Sequence, residues 1–166
     1  MSSSVEDRLK QLNLILPMPP KPAGSYHPVM IANSMAFLSG QVSRDGQGVM
    51  IAGKVGKDLT LEQGKDAARV AALNVLSVIK NFIGFEKVEK FLRVSGFVHA
   101  APDFYEIPQV MNGASDLFLE VFGEKGIHAR SAVGMNSLPM NAAVELEVTL
   151  LLNLSSSNFP SPSGRG

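Results

Sequence analysis

The sequence predicts an α+β fold in which one β-sheet carries two long helices on one face. Three observations lead to this prediction. Short runs rich in alternating and β-branched apolar residues indicate strands, and two longer segments with apolar residues at helical spacing indicate helices. Their order along the chain is β-β-(β)-α-β-α-β-β, which is typical of an α+β domain. The length of 166 residues suits one domain with a sizeable core.

The N-terminal part begins with a predicted short helix and a predicted β-hairpin. Residues Ser4 to Leu14 have apolar residues at helical spacing, with Ser4 as the N-cap. The proline-rich stretch LPMPPKP ends this helix and forces an extended connection. Tyr26 to Ser34 and Met35 to Gly40 are then predicted to be two strands, joined by a turn at Ala32 to Ser34.

The first long helix is the most clearly marked element. Thr60 and Gln63 form the S/T-x-x-E/Q capping box, and Gly84 supplies the C-terminal stop. Its apolar face consists of Ala68, Ala71, Ala72, Val75, Ile79 and Phe82. Between the hairpin and this helix, SRDGQG is predicted to be a loop and Val49 to Ala52 a short third strand.

The second half of the chain supplies a strand, a second long helix and two further strands. Phe91 to His99 is the strand, and Tyr105 to Phe122 is mainly helical, with Pro108 in its first turn. Arg130 to Asn136 and Ala142 to Leu152 complete the sheet. In the strand from Phe91 to His99, alternation places Leu92, Val94 and Val98 on one side and Arg93, Ser95 and Phe97 on the other.

The chain divides into three predicted parts. Residues 1–15 form a helical extension, residues 16–152 the domain, and residues 153–166 a tail rich in Ser, Pro and Gly that is predicted to be disordered. With both long helices on one face, the other sheet face stays uncovered and carries apolar residues. A homo-oligomer that buries this face is the simplest remedy.

Composition excludes several classes of function. The 15 basic and 15 acidic residues give zero formal net charge, so nothing attracts polyanions broadly and a nucleic-acid partner is disfavoured. The absence of cysteine excludes disulfides and a cysteine nucleophile. His27, His99 and His128 lie outside any metal-binding motif, so no metal is predicted. The polar N-terminus and the absence of a long apolar run predict a cytoplasmic protein without a membrane contact.

Charged residues inside two apolar runs are the strongest candidates for a site. Arg130 precedes a strand of small apolar residues, where its guanidinium fork could bind a carboxylate. The residues alone leave open a second reading, in which Arg130 forms a salt bridge to Glu145, to Glu147 or to a neighbouring subunit. Alternation places both glutamates on one face of their strand. That face is either solvent-exposed or part of an oligomeric cleft, where a glutamate could hold a water.

Two stretches of the sequence resemble a known family. GSYHPVMIANSMAFLSGQVSRDG is similar to a pattern of G-x-Y, a strand pair and S-G-Q, and HARSAVG…LPMNAAVELEV is similar to an A-R-S tripeptide followed by L-P and an acidic strand. Together they resemble the RidA/YjgF family, also called endoribonuclease L-PSP, over residues Leu16 to Leu152. GASDLFLEVFGEKGIHARSAVG is closer to the branch described as YjgF/chorismate-mutase-like putative endoribonucleases.

The resemblance implies a fold, an assembly and an activity. The fold is chorismate-mutase-like, with one mixed, mostly antiparallel sheet, and the assembly is a homotrimer with a cleft between each pair of subunits. The activity is that of a 2-iminobutanoate/2-iminopropanoate deaminase. It hydrolyses small carboxylate-bearing enamines or imines, such as 2-aminoacrylate, to 2-keto acids and ammonia, and it needs no cofactor.

The resemblance also implies roles for individual residues. Arg130 matches the arginine that grips the substrate carboxylate, and Glu145 matches the acidic residue that positions the attacking water. Tyr26 matches the tyrosine beside the cleft, and Ser39 and Gly40 match the stretch whose backbone contributes to the substrate pocket.

Three positions depart from the family pattern. Ala132 stands where a cysteine is frequent, Ser115 where an asparagine is frequent, and His128 where a proline is frequent; Ala132 and Ser115 remain predicted substrate-binding residues. These departures leave two alternatives to the deaminase. One is a trimer that binds small carboxylates without turnover. The other is an endoribonuclease or translation inhibitor, which the neutral charge and the lack of a basic stripe disfavour.

Overall fold

The computed structural model describes residues 4–19, 21 and 24–154. The helices are α1 (Val5–Gln11), α2 (Leu61–Phe82) and α3 (Ile107–Phe122), and the strands are β1 (Val29–Ala32), β2 (Met35–Val42), β3 (Val88–His99), β4 (Ala129–Met135) and β5 (Val144–Leu152). The strands form one sheet in the order β1-β2-β5-β3-β4. Among the five strands of the described residues only β3 and β4 pair in parallel, so the predicted mixed, mostly antiparallel sheet is confirmed.

The hairpin and the capping box form as predicted. β1 and β2 meet at a two-residue turn in which Asn33 and Ser34 both have positive φ, at 49° and 63°, and this left-handed pair matches the twist of the two strands. At the start of α2, the Thr60 hydroxyl accepts from the Gln63 backbone N–H, and the Gln63 amide oxygen accepts from the Thr60 backbone N–H. These bonds satisfy backbone donors that a helix start otherwise leaves open.

The cap at Thr60 gives a measurable prediction. Thr60→Ala removes the hydroxyl acceptor and is expected to lower the free energy of unfolding by about 1 kcal/mol. Thr60→Ser keeps the hydroxyl and serves as the control. Thermal melts are expected to show a decrease of about 2–4 °C for the alanine variant and a smaller change for the serine variant. Equal melting temperatures for all three proteins would contradict the assignment of the cap.

The predicted third strand at Val49 to Ala52 is wrong. This segment forms only isolated bridges, from Met50 to Arg44 and from Ala52 to Ala142. Its backbone bonds go to two different segments, from the Ile51 N–H to the Ser43 carbonyl and from the Ala143 N–H to the Ile51 carbonyl, and side chains add to them. The Asp45 carboxylate accepts from the backbone N–H groups of Gln47 and Val49, and the Ser43 hydroxyl donates to the Ile51 carbonyl at 2.8 Å. Because these bonds satisfy the backbone locally, the segment stays a folded loop.

A β-bulge changes the predicted faces of β3. Phe91 pairs with Leu150 and Arg93 with the adjacent Thr149, so Leu92 is the extra residue of β3. Phe91 and Val94 are both buried while Leu92 is half-buried, so the prediction that Leu92 shares the Val94 side is wrong. Beyond the bulge, the predicted alternation is confirmed.

Helices α2 and α3 cover one face of the sheet. The core lies between the helices and the sheet. Its largest fully buried side chains include Phe91, Leu146 and Leu150 from the sheet and Leu76, Ile79 and Phe118 from the helices. The opposite side, which we call the open face, presents Phe37, Ser95, Phe97, Ser131, Val133, Glu145, Glu147 and Thr149. Phe37 and Val133 are 45% and 44% exposed there, so apolar surface is left uncovered, as predicted.

Helix α1 packs against the end of α3. Leu9 is buried, and the Arg8 guanidinium donates to the Val121 carbonyl at 3.4 Å. The division into residues 1–15, 16–152 and 153–166 stays a prediction, and residues 155–166 of the predicted tail lie outside the described residues. No helix in the described part of the chain is long and apolar enough to span a membrane. The cytoplasmic location stays a prediction.

Candidate functional site

Arg130 points to the helix side of the sheet, at its edge. In the parallel register it lies opposite the buried Val94, so its side chain projects towards α3 rather than onto the open face. Its Nη1 donates to Asn112 Oδ1 at 2.9 Å and to Ser115 Oγ at 3.1 Å, and its Nη2 donates to the Pro108 carbonyl at 3.3 Å. Three neutral acceptors from one helix therefore hold the guanidinium.

Part of the guanidinium of Arg130 stays available to a ligand. An arginine has five N–H donors in a planar fork, and the three bonds to α3 occupy both hydrogens of Nη1 and one of Nη2. The Nε–H and the second Nη2–H make no bond to any described residue, and open donors on a guanidinium suit a carboxylate. Within residues 4–19, 21 and 24–154, Arg130 forms no salt bridge, to Glu145, Glu147 or any other acid.

Ser115 links Arg130 to His128. The Ser115 Oγ lies 2.9 Å from His128 Nε2, and His128 Nδ1 lies 2.6 Å from the Gly126 carbonyl. A carbonyl only accepts, which assigns the imidazole proton to Nδ1 and leaves Nε2 to accept from the serine hydroxyl. Burial lowers the pKa of His128, and the charge of Arg130 lowers it further, while the bond to Gly126 acts in the opposite direction. These effects favour the neutral imidazole that this assignment requires.

Sequence reasoning missed Asn112. The family's frequent asparagine was expected to be replaced by Ser115, but the helix offers an asparagine to Arg130 one turn earlier. The available signal was the three-residue spacing of Asn112 and Ser115, which places both on one side of a helix. Ala132 lies two residues beyond Arg130 on the same side of β4 and packs partly buried against the core. Arg130, Asn112, Ser115, His128 and Ala132 form what we call the arginine half-site.

Glu145 lies on the other side of the sheet. It pairs with Val42 of β2 and Phe97 of β3 and projects onto the open face, where it is half-buried. A Cβ placed on Gly40 would overlap its Oε1 atom, so the absence of a side chain at Gly40 makes room for the carboxylate. Burial raises the pKa of Glu145, and repulsion from Glu147 raises it further.

Ser39 adjoins Gly40 and is bonded to the segment that follows Tyr26. The Ser39 hydroxyl donates to the His27 carbonyl at 2.6 Å, and the Ser39 backbone N–H donates to the Pro28 carbonyl at 2.9 Å. These two bonds tie the segment that carries Tyr26 to β2, and the Tyr26 side chain is 50% exposed. We call Glu145, Gly40, Ser39 and Tyr26 the glutamate half-site.

One chain does not bring the two half-sites together. Strand β3 lies between β4 and β5, so their backbones are roughly 10 Å apart at the usual strand spacing. The side chains of Arg130 and Glu145 also project from opposite faces. The described residues contain no cluster of three or more His, Asp or Glu side chains that could hold a metal ion.

Comparisons with known proteins identify the family and the fold. The profile of the family described as "YjgF/chorismate mutase-like, putative endoribonuclease" matches residues 6–152. The chain belongs to this family. A Shewanella oneidensis crystal structure described as a putative endoribonuclease is 32% identical and has a TM-score of 0.87, covering 90% of this chain and 100% of its own.

Two curated relatives differ in what their names say. Protein TCP17 of Trypanosoma cruzi is 38% identical over 154 residues, which is 92% of this chain and 96% of TCP17. The 2-iminobutanoate/2-iminopropanoate deaminase of Dermatophagoides farinae is 27% identical over 137 residues, which is 82% of this chain and 92% of that protein. The fold and family of the chain are therefore shown, and one relative's name states an activity.

Proposed function

We propose that this protein is an enamine/imine deaminase that hydrolyses small carboxylate-bearing substrates such as 2-aminoacrylate to 2-keto acids and ammonia. The observation that carries the proposal is the guanidinium of Arg130, which α3 holds in place while two of its N–H donors stay open and no described acid pairs with it. The named activity of the Dermatophagoides farinae relative supports the reaction class.

In the proposed reaction, the arginine half-site binds the substrate and the glutamate half-site activates the water. Arg130 binds the substrate carboxylate. The enamine gains a proton on carbon and becomes an imine, water adds to the imine carbon, and the resulting carbinolamine loses ammonia to leave the keto acid. Glu145 holds the water and accepts its proton, for which a pKa raised towards neutrality is suited. Such substrates hydrolyse in water unaided, so orientation supplies much of the acceleration that is required.

The proposal includes a homotrimer with the substrate between subunits. Arg130 and Glu145 project from opposite faces of one sheet, so a shared site needs the arginine half-site of one subunit and the glutamate half-site of another. The uncovered apolar side chains of the open face, Phe37 and Val133, support association through that face.

The direct test measures keto-acid release. 2-Aminoacrylate is generated in situ, and pyruvate formation is followed with and without the purified protein. We expect faster release with the native protein than with buffer or with an equal mass of heat-denatured protein. Equal rates would refute the deaminase. If pyruvate raised the melting temperature in the same sample, that result would favour the binding protein without turnover.

The glutamate pair gives a pH-dependent prediction. A general base works when ionised, so activity is expected to fall as the pH drops through the raised pKa of Glu145. Glu147→Gln removes the repulsion that helps to raise this pKa, so the acidic limb of the pH–rate profile is expected to move to lower pH. Glu89→Gln, at an exposed position of β3, is the matched control. A limb that stays in place or moves to higher pH would count against Glu145 as the base.

A further inference from the structure

A chain of hydrogen bonds runs away from the carboxylate-binding edge of Arg130. Arg130 Nη1 donates to Ser115 Oγ at 3.1 Å, Ser115 Oγ lies 2.9 Å from His128 Nε2, and His128 Nδ1 lies 2.6 Å from the Gly126 carbonyl. Each group donates to the next one in the series, and the last bond ends on the backbone carbonyl of Gly126. Bonds aligned in this way polarise and strengthen one another.

We propose that Ser115 and His128 are positioning residues, which orient the guanidinium of Arg130 so that its two open donors face the substrate carboxylate. This inference rests on the proposed function and deepens it. It replaces the predicted role of Ser115 as a substrate-binding residue. The Ser115 hydroxyl already donates to His128 and accepts from Arg130. It also assigns a role to His128, which stands where the family frequently has proline.

The surroundings of His128 fit a fixed, neutral ring. The ring packs against Phe91 and Phe118, at centroid distances of 6.4 and 6.0 Å, and these two phenylalanines contact each other at 4.8 Å. The charge of Arg130 on β4 acts on the ring, Lys90 on β3 lines the same cavity of about 300 Å³ as His128, and α3 contributes the Ser115 hydroxyl to it. No carboxylate of the described residues contributes to the pKa shift of His128, and its Nδ1 proton is held by the Gly126 carbonyl, so the imidazole stays an acceptor at Nε2. The Ser115 hydroxyl then points its hydrogen at His128 and keeps its lone pairs for Arg130.

The test compares ligand binding and turnover in four variants of the full chain. Ser115→Ala and His128→Leu are each expected to raise the Kd for pyruvate and the KM for 2-aminoacrylate about 10-fold, the effect of one lost bond to a charged group, and to leave kcat within about 2-fold. Ser115→Thr keeps the hydroxyl, and His128→Gln places an amide oxygen near the Nε2 position, so both are expected to retain most of the affinity. Ser137→Ala, at an exposed serine beyond β4, is the control.

The double variant Ser115→Ala/His128→Leu separates positioning from general structural damage. If His128 acts through Ser115, the double variant is expected to bind pyruvate no worse than Ser115→Ala alone. Additive losses, an unchanged Kd in both single variants, or a lower kcat at an unchanged KM would overturn the inference. If His128→Leu does not fold, the comparison of Ser115→Ala with Ser115→Thr decides the role of the hydroxyl, and His128→Gln decides that of the ring.

Failure of this inference and of the proposed function give different results. Native protein that binds pyruvate but does not accelerate release from 2-aminoacrylate refutes the deaminase, while the Kd values of the variants still decide the positioning role. Native protein that neither binds pyruvate nor accelerates its release from 2-aminoacrylate overturns both. Turnover with identical Kd values in all variants keeps the deaminase and overturns the positioning role alone.

Discussion

Replacing Arg130 with alanine is expected to lower kcat/KM for 2-aminoacrylate by on the order of 100- to 1,000-fold, since two charge-assisted hydrogen bonds to the carboxylate are lost. The loss is expected in KM and in the Kd for pyruvate as well as in kcat, because a substrate without its anchor also reacts in the wrong orientation. Stopped assays of keto-acid release measure kcat and KM, and calorimetric titration with pyruvate measures the Kd.

Two further variants show whether the fork or only its charge is required. Arg130→Lys keeps a positive charge but has no planar pair of donors, so it is expected to recover part of the affinity and little of the orientation. Arg69→Ala removes an arginine whose partner is Glu120, at 3.0 Å on α3, in a partly exposed salt bridge. It is expected to cost less than about 1 kcal/mol of stability and no activity. Full activity in Arg130→Ala would remove the basis of the proposed function.

The fold was predictable where local chemistry determines it. The capping box of α2 and the Asn33–Ser34 turn depend on residues within a few positions of each other, and both formed as predicted. The third strand failed because its residues pair in isolated bridges with two different segments, at Arg44 and at Ala142, so no continuous ladder forms. The bulge at Leu92 had no sequence signal, because it depends on how β3 is registered against β5.

The site was predictable in its residues but not in its arrangement. Alternation correctly placed Glu145 and Glu147 on one face of β5, since that is a property of a single strand. Alternation could not show that Arg130 on β4 lies on the opposite face of the sheet, because the relation between β4 and β5 depends on how each pairs with β3. Asn112 was missed for a related reason. Which turn of α3 reaches the guanidinium depends on how the helix lies across the sheet edge.

Replacing Glu145 with glutamine is the other change with a large expected effect. The amide has nearly the same shape but cannot accept a proton, so kcat is expected to fall on the order of 100- to 1,000-fold while the Kd for pyruvate changes little. Glu147→Gln, two residues along the same face, is the control and is expected to keep its kcat near neutral pH. An unchanged kcat in Glu145→Gln would exclude this carboxylate as the base.

Gly40→Ala tests the position of the carboxylate without changing its chemistry. Gly40 does not need a positive φ, so alanine is acceptable to the backbone, and the obstacle is the overlap of the new Cβ with Glu145 Oε1. The carboxylate must move, and kcat is expected to fall substantially with little change in the Kd for pyruvate. Gly48→Ala is not a suitable control because Gly48 has a φ of 84°. Gly46→Ala, in the same loop without that constraint, is the better one.

Mixing the two inactive variants decides whether the half-sites come from different subunits. A subunit carrying Arg130→Ala still supplies Glu145, and one carrying Glu145→Gln still supplies Arg130. In trimers assembled at random from equal amounts, roughly one quarter of the intersubunit clefts would combine both intact half-sites. Co-expressed, differently tagged subunits are therefore expected to recover roughly a quarter of native activity, whereas each variant alone recovers none. A site contained within one subunit predicts no recovery at any mixing ratio, because every subunit then carries one of the two defects.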